Sequence, residues 1–149
     1  MCPDANIGDT GLVTGIQYTK RDREALNALI EITDWSAVET SCTSGVLDMS
    51  LMFEEQFTFD ADLSTWDTSS VMYMNRMFMY AGYFDHDLSN WDVSAATDMH
   101  WMFYGASSFN GDISNWDVSS VENMNGMFRE ATVFNGDISN WDVSSVMYM

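Results

Sequence analysis

Apolar positions recur along this chain with a period of 25 residues. Met102 to Gly126 is one copy of the unit, and Met52 to Arg76, Met77 to Trp101 and Met127 to Met149 are the others. Aligned, the copies hold Met, Phe, Phe, Asp, Ser, Trp, Asp, Ser and Met at fixed places. Self-similarity at this period marks units that cannot bury an apolar face alone and must stack.

Within a unit the hydrophobic pattern changes. Ile113, Trp116, Val118 and Val121 alternate at their centre, which predicts a short strand over Asn115 to Ser119 with Trp116 and Val118 inward. Met124, Met127, Phe128 and Ala131 follow at i, i+3, i+4 and i+7, which predicts a short helix. Phe134 begins the return to the next strand. Successive strands would pair in parallel through right-handed crossovers. The expected fold is an α/β repeat solenoid: a leucine-rich-repeat-like parallel β-strand stack, with short helices on the other face and an N-terminal capping helix.

Residues 1–45 read as a lead-in and cap, and residues 46–149 as the solenoid, with one partial and four 25-residue repeats, the last incomplete. Residues 1–18, polar and rich in Gly and Thr, predict a loop. From Thr19 the text TKRDREALNALIEI puts Ala25, Leu26, Leu29 and Ile30 on one helical face, and Thr19 with Asp22 resembles a capping box. Residues 34–51 read as a degenerate half unit, with Val46 and Met49 in the places of Val71 and Met74. Trp35 lies 14 residues before Met49 and Trp66 lies 8 before Met74, so about six extra residues, Cys42 among them, interrupt this coil. The sequence stops at Met149, where every earlier unit goes on into its helix. The expectation is that the protein continues, or that another chain covers this end.

Charge narrows the partners. The formal net charge is −18, from 23 acids against 5 bases, and Lys20, Arg21 and Arg23 lie together before the repeats. Such a body repels phosphate backbones and anionic lipid, which speaks against nucleic acid and membrane surfaces as partners. No apolar run is long enough to span a bilayer, so direct membrane insertion is not expected. Cys2 and Cys42 lie outside the full units, where a disulfide would tie down the cap. Their spacing suggests no zinc site.

The candidate chemistry is a surface. On the strand reading, Thr65, Asn90, Asn115 and Asn140 form one outward ladder. Asp67, Asp92, Asp117 and Asp142 form a second, and Ser69, Ser94, Ser119 and Ser144 a third. Stacked carboxylates repel one another, so hydrogen bonds from serines and amides, a bound cation such as calcium, or a basic partner must offset the cost. A further set, Asp62, Asp87, Asp112 and Asp137, reads as turn residues that accept backbone hydrogen bonds. The recurring tryptophans alternate with Asp, which places them inside. Trp35 and Trp101 break the repeat and are expected to be partly exposed. Tyr73, Tyr80, Tyr83 and Tyr104 vary between units and are expected as an apolar contact patch on the helix side. No nucleophile elbow, phosphate loop or metalloprotease motif is present, and His86 and His100 sit at non-equivalent positions. The chain therefore reads as non-enzymatic, without catalytic residues and without a resident metal or other cofactor, calcium being the one candidate.

The whole unit, FNGDISNWDVSSVENMNGMFREA, resembles the short-repeat family of bacterial surface proteins and lipoproteins, which also occurs in unicellular eukaryotes. The likeness covers residues 46–149. It implies a leucine-rich-repeat-like solenoid at cell surfaces or in extracellular assemblies, and no catalytic residues. The expected function is a protein-interaction or structural module, as an adhesion protein or an accessory subunit of a larger assembly. The alternative is a calcium-dependent module for carbohydrate or surface ligands. The expected location is extracellular or at the cell surface, an organelle lumen being the variant.

Overall fold

The computed structural model of the chain describes residue 2 and residues 4–149. The stretch expected as a loop holds a hairpin, β1 (Thr10–Val13) and β2 (Ile16–Lys20), paired antiparallel. Thr14 and Gly15 between them have φ of 49° and 86°, and positive φ at both central residues is what a tight hairpin with the right twist requires. Helix α1 (Arg23–Glu31) follows, with Asp22 as N-cap accepting from the Ala25 amide at 2.9 Å. Thr19 is not in the cap, because β2 has already taken it. Leu26 and Ile30 are the buried face of α1.

The extra residues before the repeats form α2 (Trp35–Glu39), capped by Asp34, and β3 (Ser41–Cys42). Strand β3 pairs in parallel with β2, so the sheet order is β1-β2-β3. Cys2 and Cys42 are joined by a disulfide across a sequence separation of 40. In the chain-entropy treatment a loop of that length is worth about 4 kcal/mol. Arg23 donates to the carbonyls of Asp48 and Ser50 at 2.9 and 2.5 Å, which joins α1 to the first unit.

The repeating region overturns the expected α/β solenoid with its leucine-rich-repeat-like strand stack and short helices. Among the described residues after Cys42 there is neither a helix nor a strand. The span expected as a strand is two consecutive tight turns, with Trp116 N–H on Ile113 O and Val121 N–H on Val118 O at 3.2 and 2.9 Å. The span expected as a helix is a run of turns, with Met127 N–H on Met124 O and Ala131 N–H on Phe128 O, both at 3.0 Å.

Backbone geometry explains why the helical spacing yields no helix. Gly126 and Glu130, Trp101 and Gly105, and Arg76 and Tyr80 have φ between 55° and 66°, and a left-handed residue every four ends a right-handed helix. Alternate amides then leave their own unit: those of Met99, Trp101, Phe103 and Gly105 donate to Asn123, Asn125, Met127 and Arg129 at 2.8–3.0 Å. Single-residue parallel bridges join Asp48, Tyr73, Asp98, Asn123 and Tyr148 in succession. A non-glycine left-handed residue costs about 1–2 kcal/mol. Each hydrogen bond returns about 1 kcal/mol, and the apolar side chains between units supply the rest.

Those side chains line up in columns. Phe53, Phe78, Phe103 and Phe128 stack at 5.4–5.7 Å, and Phe59, Phe84, Phe109 and Phe134 at 5.5–5.9 Å. Trp91, Trp116 and Trp141 stack with interplanar angles of 3–4°. Trp66, Trp91 and Trp116 are buried, and each indole N–H donates to a carbonyl 28 residues earlier, at 2.9–3.1 Å. Phe103 touches Phe78, Phe109, Phe128 and Trp116. Phe103→Ala is expected to lose about 3–5 kcal/mol of unfolding free energy, read from urea denaturation; a loss below about 1 kcal/mol would show that these columns carry little of the stability.

Candidate functional site

The acidic ladders are built by the turns. In each set the carboxylate oxygen accepts the amide of the residue two further on. Asp67, Asp92, Asp117 and Asp142 take the amides of Ser69, Ser94, Ser119 and Ser144 at 3.0–3.2 Å. Asp62, Asp87, Asp112 and Asp137 take those of Ser64, Ser89, Ser114 and Ser139 at 2.7–3.0 Å. The hydroxyls of Ser69, Ser94 and Ser119 add a second bond to the same oxygen at 2.6–2.7 Å. Each aspartate thus caps the turn that begins at the next residue, as an N-cap does for a helix.

A third corner works the same way. Asp48, Asp98 and Asn123 accept from the amides of Ser50, His100 and Asn125 at 2.8–3.1 Å. Sequence reading missed it because Tyr73 and Tyr148 occupy that position in the other units. The signal was there in Asp-Met-Ser, Asp-Met-His and Asn-Met-Asn.

These bonds set the electrostatics. The Ser119 hydroxyl and amide hold Asp117 below the usual carboxylate range, and Ser144 does the same for Asp142 against a small opposing push from Asp117. The amides and hydroxyls of Ser114 and Ser139 lower Asp112 and Asp137. At Asp67 partial burial pushes upward, but hydrogen bonds from Ser44 and Ser69 outweigh it and the net direction is down. Ser44 Oγ donates to the second carboxylate oxygen of Asp67 at 2.5 Å.

The ladder is not uniform in exposure. Asn90, Asn115 and Asn140 are exposed beside exposed Asp92, Asp117 and Asp142; Ser94 is exposed, Ser119 half-buried. A shallow cleft of about 350 Å³ runs between Asn115 and Asp117 on one unit and Asn140 and Asp142 on the next. Asp67 stands apart, half-buried under the N-terminal elements.

Three of the four expected aromatic contacts come together. Tyr80 meets Tyr104 edge-on at 5.1 Å, and Trp101 lies 5.8 Å from Tyr104. The Arg76 guanidinium sits 4.6 Å over Trp101 and that of Arg129 5.8 Å over Tyr104. These two arginines are the only Lys or Arg in residues 46–149. Hydrogen bonding to Tyr80 and Glu130 pushes the Tyr104 phenol up to about 12. Gly126 makes room for the cluster, since a Cβ there would lie 2.8 Å from Trp101 Cδ1. Trp35 is elsewhere, half-buried against Phe59 at 5.0 Å. Tyr73 and Tyr83 are exposed. His86 and His100 have separate partners, Asp60 and Asp98.

Capping and charge are separable by substitution. Asparagine keeps the acceptor oxygen, so Asp117→Asn should melt close to the parent, whereas Asp117→Ala should melt lower by about 2–4 °C; equal melting of the two variants would show that the bond to Ser119 is idle. The lowered aspartates bind protons less readily folded than unfolded. Their contribution is therefore present above the ordinary aspartate value near 3.9 and lost as pH falls through the folded values. Melting temperature should be flat above about pH 5 and fall below about pH 4; a rise on acidification would contradict the capping geometry.

Among the described residues no helix is long and apolar enough to cross a membrane. No curated protein and no solved structure matches the chain. Two segments, residues 24–116 and 84–149, match one family, and their overlap is what a repeating unit produces. The matches run from the second residue of α1 through all the 25-residue units, and the chain belongs to the family described as Mycoplasma protein of unknown function, DUF285.

Proposed function

We propose that this chain is a non-enzymatic protein-interaction or structural module that docks a protein partner, or a larger assembly, on its acidic and polar ladder. The observation that carries this reading is the exposed pairing of Asn90, Asn115 and Asn140 with Asp92, Asp117 and Asp142 at one-unit spacing. The carboxylates are already held by their turns, so little side-chain freedom is lost on binding. Their free oxygens remain as acceptors for a basic surface of matching spacing. The Tyr80, Trp101 and Tyr104 cluster offers a second, aromatic contact. An adhesion or accessory-subunit role, extracellular or at the cell surface, agrees with the Cys2–Cys42 disulfide, a bond that persists in oxidising compartments.

The test is a partner captured from native material, identified, purified and titrated against the parent and the Asp92→Asn, Asp117→Asn, Asp142→Asn triple variant. Binding at least about tenfold weaker, with a shallower salt dependence, is expected. Equal affinity with the charges removed would overturn the acidic-face reading. A companion melt in chelator, calcium and magnesium should show no calcium-specific shift; a rise with calcium alone would mark the ladder as a cation site instead.

A further inference from the structure

Strand β1 has one side committed and one side free. Lys20 N–H bonds Asp9 O at 2.9 Å, and in the same register Gly11 and Val13 are the next residues to exchange backbone hydrogen bonds with β2. Antiparallel pairs alternate, so Thr10 and Leu12 direct both N–H and C=O the other way. Thr19, opposite Thr10, obeys the same alternation: its N–H leaves the hairpin for Thr40 O at 3.1 Å. In the order β1-β2-β3 the far side of β2 is closed by β3, and β1 is left at the edge with all its residues exposed.

Sheet edges are commonly blunted by Lys, Pro or an inward charge. This one is not: residues 10–19 carry no charged side chain, in a chain of net charge −18. Leu12 is 75% exposed and shares its face of the sheet with Thr10, Gln17 and Thr19. Two copies that met through their acidic ladders would repel; through β1 they meet no charge. The strand is also self-complementary. With two copies antiparallel about Gly11, Thr10 of each lies opposite Leu12 of the other, and these are the residues whose backbone groups are free. The two Leu12 side chains become diagonal neighbours on one face. Asp9 falls opposite Val13, so like charges do not face each other.

We propose that the free edge of β1 is a self-association site, on which β1 of a second copy adds antiparallel about Gly11 and makes one sheet across a twofold axis. The paired strands are short, so the association is weak and concentration-dependent. Salt strengthens it, because screening relieves the repulsion between two acidic bodies. The edge lies in the N-terminal cap, and the pairing holds whether or not the ladder is a docking face.

Sedimentation of the full chain from micromolar to millimolar concentration, in low and high salt, tests this together with amide hydrogen exchange. The mass should rise toward that of two chains with concentration, and further in high salt. The amides of Thr10 and Leu12 should gain protection as it does, while those of Gly11 and Val13, already bonded to β2, keep theirs. Leu12→Glu sets like charges diagonally across the axis and should weaken association about tenfold. Adding Thr10→Lys should restore it, because each new lysine then lies opposite a new glutamate. A parent chain that stays monomeric throughout would overturn the proposal and leave the edge to a strand of another protein. Association that Leu12→Glu leaves unchanged would put the interface elsewhere, and a double variant as weak as Leu12→Glu alone would rule out this pairing.

Discussion

The repeating region is cornered by one recurring bond, the aspartate or asparagine oxygen that accepts the amide two residues ahead, with Tyr73 and Tyr148 as the exceptions. Three such caps occur around the unit, at Asp112, Asp117 and Asn123. Each is followed by a turn closed between the next residue and the one three beyond it: Ile113 to Trp116, Val118 to Val121 and Met124 to Met127. The caps satisfy amides that would otherwise be orphaned at the start of each turn. With its corners fixed, the unit can send Ile113, Trp116, Val118, Val121, Met124 and Met127 inward together, all of them buried.

The aspartates therefore have two jobs on one carboxylate. One oxygen is structural and carries the serine amide and hydroxyl; the other is left outward on an exposed residue. This resolves the repulsion that a column of carboxylates implies. The hydrogen bonds favour the charged form more than neighbouring charge disfavours it, as the lowered Asp142 shows even with Asp117 beside it.

Much of this was legible in the residues and some was misread. The 25-residue period, the buried tryptophans and phenylalanines and the α1 face of Leu26 and Ile30 follow from hydrophobic spacing alone. The elements did not. Met124, Met127, Phe128 and Ala131 have helical spacing because turns closed between i and i+3 also bring every third or fourth residue to one side. What decides against the helix is the left-handed backbone at Gly126 and Glu130 and at their counterparts Trp101 and Tyr80. Trp, Tyr and Glu give no sign of that conformation in sequence; at Trp101 and Tyr80 it accompanies amides that bond to Asn125 O and Tyr104 O of the next unit. The strand at Asn115 to Ser119 failed for a related reason: Asp117 with Ser119 reads as outward polar alternation, yet the pair is a turn cap. At the N-terminus Thr14 and Gly15 carried the hairpin signal that a polar, glycine-rich composition obscured. Of the site residues, Tyr80, Trp101 and Tyr104 converge, whereas Trp35 lies half-buried against Phe59.

The capping bond can be observed directly. A pH titration of the backbone amide protons of Ser114, Ser119, Ser139 and Ser144 by NMR follows each aspartate through the donor it holds. Capping predicts that all four amides shift as their partners ionise, with midpoints below the ordinary aspartate value near 3.9. Amides that ignore the titration, or midpoints at or above that value, would contradict it, and the turns would then need another source of stability.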